Sequence, residues 1–219
     1  MHNTHIGNKV DSYKLVLDYH YSRRLPANIQ KIITWHREGG LFNDSGPAMA
    51  ACFFSIPPTR WSVNVWELSR LVRTEDCEIP LSGLIAEACR IAKSEINLLV
   101  SFADQTQGHH GGIYQASSWS YHGKREASMD GVLIDGVFHP GRSCNSKWGT
   151  RSPKKLSEKL GMEVRPHYDS GKHLYWRALN RLGQKEAVVL GLRRLDYPKP
   201  RLDRFQQGTS RVQQQLKEL

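Results

Sequence analysis

Between Ser101 and Gly123 the chain reads SFADQTQGHHGGIYQASSWSYHG, and this stretch holds most of the side chains that could do chemistry. Asp104 can accept a proton or a hydrogen bond from an amine. His109 and His110 offer ring nitrogens to a metal, a proton or a phosphate oxygen. Tyr114 is a phenol that could protonate a leaving group or orient an amine. Gly108, Gly111 and Gly112 let the backbone approach a ligand closely. Gln107 and Gln115 carry amides of the kind that pair with adenine N6 and N7. Trp119 and Tyr121 are read as either base-stacking or core aromatics.

Two chemistries compete for these residues. In the first, Asp104, His109 and His110 supply oxygen and nitrogen ligands to a metal, which His20 or His139 could join only through the fold. The spacing matches no standard zinc motif and H-E-x-x-H is absent. Two histidines and a carboxylate suit non-haem iron, so iron stays open as a cofactor, with Asp104, His109 and His20 as candidate ligands. In the second, Asp104 stands where the buried strand NLLVSFAD leaves a sheet, a place that commonly lines a cleft.

The elements that must position these groups follow from periodicity and punctuation. DSYKLVLDYHYSRRLP reads as a helix capped by Asp11 or Ser12, with Leu15, Val16 and Tyr19 on one face. KIITWHREGG, GPAMAACFFSIPP and VNVWELSRLVRT read as strands. Alternation in the third puts Arg70 on the face of Trp66, Leu68 and Val72. IPLSGLIAEACRIAKSEI is the clearest helix, with Leu84, Ile85, Ala88, Ile91 and Ala92 as its stripe. Ser82 is its expected N-cap, followed by Gly83, and such a helix start also suits an anion. GGIYQASSWSYHG is expected as a short helix closed by Gly123. VLIDGVFH is a hairpin with an Asp135-Gly136 turn. GRSCNSKWGTRSP is expected as loop, and SPKKLSEKLG as a helix with Ser152 at its cap and Gly161 past its end. HLYWRALN closes the sheet. The fold expected is one mixed α/β (α+β) domain over 1–180, with a mainly antiparallel sheet flanked by helices.

The chain has 219 residues, 31 Lys and Arg against 21 Asp and Glu, and a net charge of +10. That balance favours an acidic polymer as partner. Residues 181–219 hold nine Lys and Arg against four Asp and Glu, and read as a basic C-terminal extension ordered partly or only on binding. The four cysteines form no C-x-x-C pair, which argues against a zinc ribbon and for a reduced, cytoplasmic setting. No run approaches the roughly 18 to 20 apolar residues of a membrane span, so no membrane partner is expected.

The blocks HYSRRLP, WELSRLVR, PLSGLI and VSFADQTQGHHGGIYQASSWSYHG, in this order, resemble the phage Mom DNA-modification family. More broadly, a strand followed by GHHGGIYQASSWSYHG and a hairpin is similar to the last third of GNAT-type acyltransferases. The resemblance covers about residues 19–176, and its last block is the specific part. It implies a GNAT-like fold, in which one strand splays from its neighbour to admit the cofactor arm. It also implies modification of adenine N6 in double-stranded DNA by a carbamoylmethyl (acetamido) group. The modified DNA is protected from host restriction endonucleases. The setting it implies is the host cytoplasm, for a phage- or prophage-encoded protein.

Carried over residue by residue, the resemblance points to His20, Arg70, Ser82, Asp104 and Tyr114 as catalytic residues. Ser82, Gly83 and Arg73 are expected at the donor. His109, His110, Gln107 and Trp119 are expected at DNA. The R/Q-x-x-G-x-G/A loop that holds pyrophosphate in ordinary GNAT enzymes is replaced by RTEDCEIPLSGL. The donor is therefore acetyl-CoA or another activated molecule. A conventional acetyl-CoA-dependent N-acetyltransferase and a non-catalytic DNA-binding protein are the rival readings, and a homodimer is left open.

Overall fold

A computed structural model of the chain describes residues 2–7, 9–37, 46–57, 61 and 64–198. Its elements, in order, are β1 (His2–Ile6), α1 (Lys9–Tyr19), β2 (Ile29–Arg37), β3 (Ala48–Ser55), β4 (Val65–Arg73), α2 (Leu81–Ala92), β5 (Leu98–Asp104), a 3-10 turn (Gln105–Gln107), α3 (Gly112–Ala116), β6 (Ser120–Arg125), β7 (Met129–Ile134), β8 (Val137–Pro140), α4 (Gly141–Trp148), α5 (Pro153–Leu160), β9 (Val164–Tyr168), β10 (Lys172–Ala178) and α6 (Arg181–Val189). They divide into two compact units. The first draws on residues 1–103, 111–123 and 174–197, and the second on 104–110 and 124–173.

The first unit is organised around β3, the strand AMAACFFS, which is buried along its whole length. A strand buried on both faces needs cover on both. On one face Ala51 and Phe53 pack with Leu15 and Val16 of α1. On the other Cys52 and Phe54 pack with Leu84, Ile85 and Ala88 of α2. Each such aliphatic side chain contributes about 1.5–3 kcal/mol by leaving water. The seven-stranded sheet runs β1-β2-β3-β4-β5-β10-β6. β1 to β4 pair antiparallel, whereas β4 and β5 are parallel and joined through α2. This is the mainly antiparallel α+β arrangement, flanked by helices, that the sequence implies. The parallel pairing covers only Val65–Leu98, Trp66–Leu99 and Glu67–Val100. Beyond it the two strands part, as the expected splay requires.

The second unit is a three-stranded sheet, β8-β7-β9, covered by α4 and α5 through Cys144 and Leu156 over Val132 and Ile134. Asp135 and Gly136 both have positive φ (49° and 76°), as the expected type I′ turn demands. Ser152 caps α5 and Gly161 ends it in the left-handed region.

Several expectations are corrected. α1 starts at Lys9, ahead of both expected caps, and Tyr19 is exposed rather than on the buried face. The residue capping α2 is Pro80, not Ser82, and it provides no side-chain hydrogen bond. The helix expected to run to Gly123 stops at Ala116, and Ser120–Arg125 is strand. The expected loop GRSCNSKWG contains α4, whose Cys144 and Trp148, four apart, face the core. Of the expected C-terminal extension, Arg181–Val189 forms α6, which buries Ala187 against Trp176 and Leu98. Residues 199–219 lie outside the described residues. Among the described residues no helix is long and apolar enough to cross a membrane.

Candidate active site

The middle of β4 is irregular. Its pairing with β3 slips between Phe53–Arg70 and Phe54–Leu68, which leaves Ser69 as the extra residue of a bulge. The bulge reverses the alternation beyond it. Trp66, Leu68 and then Leu71 face α2, whereas Val72 faces α1. Arg70, paired with Phe53 and two residues from Val72, therefore lies on the α1 face and not with Trp66 and Leu68 as alternation alone predicts. Ser69 Oγ donates to the Phe53 carbonyl at 3.2 Å, and Arg70 donates to the Ser69 carbonyl at 2.6 Å. Side chains thus take up carbonyls of the interrupted ladder.

A second substitution of this kind sits where β4 and β5 part. Ser101 on β5, fully buried, places Oγ 2.7 Å from the Leu68 carbonyl oxygen and 2.7 Å from the Tyr114 hydroxyl. Serine has one proton. The Leu68 carbonyl can only accept, so Ser101 donates there and Tyr114 donates to Ser101. Burial pushes the Tyr114 phenol well above its ordinary range, and the carboxylate of Glu67 pushes it further. Tyr114 is therefore a neutral phenol, suited to donating a hydrogen bond rather than to service as a base. Its ring lies among Trp119 (5.4 Å between centroids) and Tyr175 (5.2 Å). Gln115 donates to the Tyr175 hydroxyl at 3.1 Å, which ties this amide to the protein.

Arg70 is half-buried. Its Nε donates to the Arg24 carbonyl at 3.0 Å, and it makes no ion pair among the described residues. Desolvation lowers its pKa, partly offset by Tyr21 and Glu67. Tyr21 and Glu67 thus act on both Arg70 and Tyr114. His20, buried one residue past α1, stacks on Tyr21 at 4.3 Å. The Ser22 amide donates to His20 Nδ1 at 3.1 Å, so the neutral ring carries its proton on Nε2. The structure gathers His20, Tyr21, Glu67, Arg70, Ser101 and Tyr114 into one unit. Glu67, Tyr21 and Ser101 were not among the sequence candidates. The signal for Ser101 was a lone hydroxyl inside the apolar run LLVSF.

The start of α2 bears on the donor. Ser82 is the second helical residue, half-buried and without a hydrogen-bond partner among the described residues. Gly83 is explained by packing: a Cβ there would sit 3.0 Å from the Trp35 ring. Arg73 turns back to donate to the Cys77 carbonyl at 3.0 Å. The Thr74 amide donates to the Met49 carbonyl, the Cys77 amide to the Thr74 carbonyl, and Cys77 itself is buried in the core. This segment is tied inward and does not form the glycine-rich cradle that the pyrophosphate of acetyl-CoA takes. Of the three donor-site candidates, Ser82 alone has a polar side chain that makes no hydrogen bond among the described residues.

Asp104, Gln107, His109 and His110 belong to the second unit. Asp104 accepts from the Thr106 amide at 3.0 Å, capping the 3-10 turn, and pairs with Lys172 at 3.2 Å. Gln107 and His109 are exposed and His110 is half-buried. Among the described residues no group of three or more His, Cys, Asp or Glu is placed to hold a metal ion, so Asp104, His109 and His20 do not form the expected ligand set. Trp119 is also corrected. It is fully buried in the core of the first unit, with its carbonyl accepting from Tyr197 at 2.8 Å, and cannot stack on a base. Gly111 likewise serves packing: a Cβ there would fall 2.2 Å from the Tyr175 ring.

Among solved structures, the chain is similar to an acetyltransferase of Bacillus subtilis in complex with CoA, at 11% identity and TM-score 0.47, covering 82% of this chain and 100% of that one. It is also similar to the ribosomal-protein-S18-alanine N-acetyltransferase of Escherichia coli, at 6% identity and TM-score 0.46, covering 82% and 95%. A GNAT family acetyltransferase of Elizabethkingia anophelis with acetyl-CoA bound is similar at 10% identity and TM-score 0.41, covering 81% and 97%. No curated protein matches the chain. Residues 5–199 match the Mom protein family, nearly the whole sequence and every residue of the cluster around Tyr114, and the chain belongs to that family.

Proposed function

We propose that the chain is a transferase that attaches a carbamoylmethyl (acetamido) type group to adenine N6 in double-stranded DNA, and so protects that DNA from restriction endonucleases. The observation that carries the reading is the match to the Mom protein family over residues 5–199. The residues around the parting of β4 and β5 support it, because the same unit holds a neutral hydrogen-bond donor, Tyr114, and a half-buried cation, Arg70, both acted on by Tyr21 and Glu67.

The N6 amine is a weak nucleophile, since its lone pair is delocalised into the ring. It is also hidden in the duplex, so the base must leave the stack to react. The N6 lone pair forms a bond to the methylene carbon of an activated acetamide-type donor. The leaving group departs with its bonding pair, and N6 loses a proton. In this reading Asp104 orients N6 or takes that proton. Tyr114 exchanges its hydrogen bond to Ser101 for one donated to the leaving group. Arg70 and Ser82 hold developing negative charge, and His20 relays a proton through Nε2. Gln107, His109 and His110 contact the DNA.

The test is plasmid DNA recovered from cells expressing the soluble protein and challenged with endonucleases whose sites contain adenine. Resistance is expected. Complete cleavage would overturn the reading. Resistance seen only while the protein stays on the DNA, and equally with an Asp104→Asn variant, would favour a non-catalytic DNA-binding protein instead. Tight acetyl-CoA binding without DNA binding would favour a conventional acetyltransferase.

A further inference from the structure

The chain's positive charge is not spread over it. Residues 141–161 hold six Lys and Arg against one Glu, and residues 181–219 hold nine against four. The remaining residues carry 16 basic and 16 acidic side chains. The whole net charge of +10 therefore resides in two segments, and the first of them is the α4–α5 hairpin.

The hairpin's fold turns this charge outward. α4 buries Cys144 and packs Trp148 beside it; α5 buries Leu156 and packs Leu160. Those positions, four apart on each helix, settle which faces meet the β7–β9 sheet. Arg142, Lys147, Arg151, Lys154, Lys155 and Lys159 are all exposed. None forms an ion pair among the described residues. Two are held by the hairpin itself: Lys147 lies over the Trp148 ring at 4.7 Å, and Lys159 donates to the Trp148 carbonyl at 3.1 Å. The Arg151 stem runs close to Gly141, 3.6 Å from where a Cβ would be, which keeps it beside the start of α4. Exposed Ser143, Asn145 and Ser146 add hydroxyl and amide donors. Six cations facing one carboxylate repel each other in the free protein, and a dense polyanion relieves that repulsion.

We propose that the α4–α5 hairpin is the surface that holds duplex DNA, through its phosphates and not through its bases. This rests on the reading of DNA as substrate. It differs from the histidine loop at 107–110 in reading no sequence. Its role is to fix the position of the duplex, so its contacts count in the salt dependence of binding.

The experiment is fluorescence anisotropy of a labelled duplex against the full chain over a salt series. The variant is Arg142→Gln/Arg151→Gln/Lys154→Gln/Lys155→Gln, which touches no residue of the cluster around Tyr114. Wild type should bind with a steep dependence of log K on log salt. The variant should lower that slope by about 3 to 4, roughly one for each phosphate contact removed. A second variant, Lys154→Gln/Lys155→Gln, should lower it by about 2 and guards against misfolding of the first. An unchanged slope in both variants, with wild type binding DNA, would overturn the hairpin assignment alone. No duplex binding by wild type, or a slope carried only by single-stranded RNA, would overturn the DNA reading as well.

Discussion

The Tyr114 hydroxyl lies 2.7 Å from Ser101 Oγ, and Ser101 passes its own proton to the Leu68 carbonyl. The chain of donation has a fixed direction, from phenol to serine to backbone. Removing its middle member and removing its end member should therefore have unequal effects. Ser101→Ala leaves both a buried hydroxyl and a buried carbonyl without a partner, and should cost about 2–3 kcal/mol. Tyr114→Phe leaves Ser101 still bonded to Leu68, and should cost about 1 kcal/mol. Urea unfolding of the two variants measures this. Equal costs would contradict the direction.

Buried acids of the first unit set an alkaline limit on stability. Burial raises the Tyr114 phenol, the Tyr175 phenol to about 12, the Cys89 thiol to about 11 and the Cys52 thiol well above its usual value. Each is raised over its unfolded value, so unfolding releases protons sooner. Their contribution is intact below the unfolded values of 9.0 for thiols and 10.0 for phenols, and is lost as pH rises through the folded ones. Unfolding free energy should fall steadily from pH 9 upward, beyond what a shift in net charge produces in a Cys52→Ala/Cys89→Ala control. A flat profile to pH 11 would contradict it.

Asp169 anchors the second unit and sets its acid limit. Its buried carboxylate accepts from the Ser128 amide at 3.1 Å, the Gly171 amide at 3.0 Å and the Arg125 guanidinium. Desolvation works against ionisation, but these bonds prevail and hold its pKa below the usual carboxylate value. Its contribution is present above the unfolded value of 3.8 and is lost as pH falls through the lower folded one. Asp169→Asn should destabilise by about 2–4 kcal/mol at neutral pH, and should flatten the acid limb of the stability curve below pH 4. Chemical denaturation from pH 3 to 7 checks both.

Two glycines of the same loop should respond very differently to alanine. Gly108 and Gly111 both have positive φ, 74° and 86°. Nothing lies within 4 Å of a Cβ at Gly108, whereas one at Gly111 would enter the Tyr175 ring. Gly108→Ala should cost about 1 kcal/mol, the backbone term alone. Gly111→Ala adds overpacking and should cost about 2–4 kcal/mol. A melting-temperature comparison decides it, and similar values would mean that Gly111 is not wedged against Tyr175.

How much of this was legible beforehand depended on whether a feature was local. The α2 stripe, the Asp135-Gly136 turn and the Ser152 cap were read correctly, because spacing or turn chemistry within a few residues determines each. Arg70 was placed on the wrong face, because alternation carries no sign of a bulge at Ser69. α4 was missed because GRSCNSKW sets only Cys144 and the half-buried Trp148 against the core, too few to make a helical stripe. Ser82 looked like a cap because serine often is one, yet Pro80 with its fixed φ starts the helix two residues earlier. Trp119 was ambiguous from its type and was decided by the packing of Tyr114 and Tyr175 around it. Ser101 was passed over because a small polar residue in an apolar strand is unremarkable until its partners are known.

The central claim is that the chain modifies adenine in DNA. The most direct test is mass spectrometry of nucleosides from plasmid DNA recovered after expression of the wild-type chain and of a soluble Tyr114→Phe variant. The account predicts a deoxyadenosine species heavier by one acetamido group with wild type, and a much smaller fraction of it with the variant. Unmodified deoxyadenosine throughout, with wild-type protein soluble and folded, would contradict it.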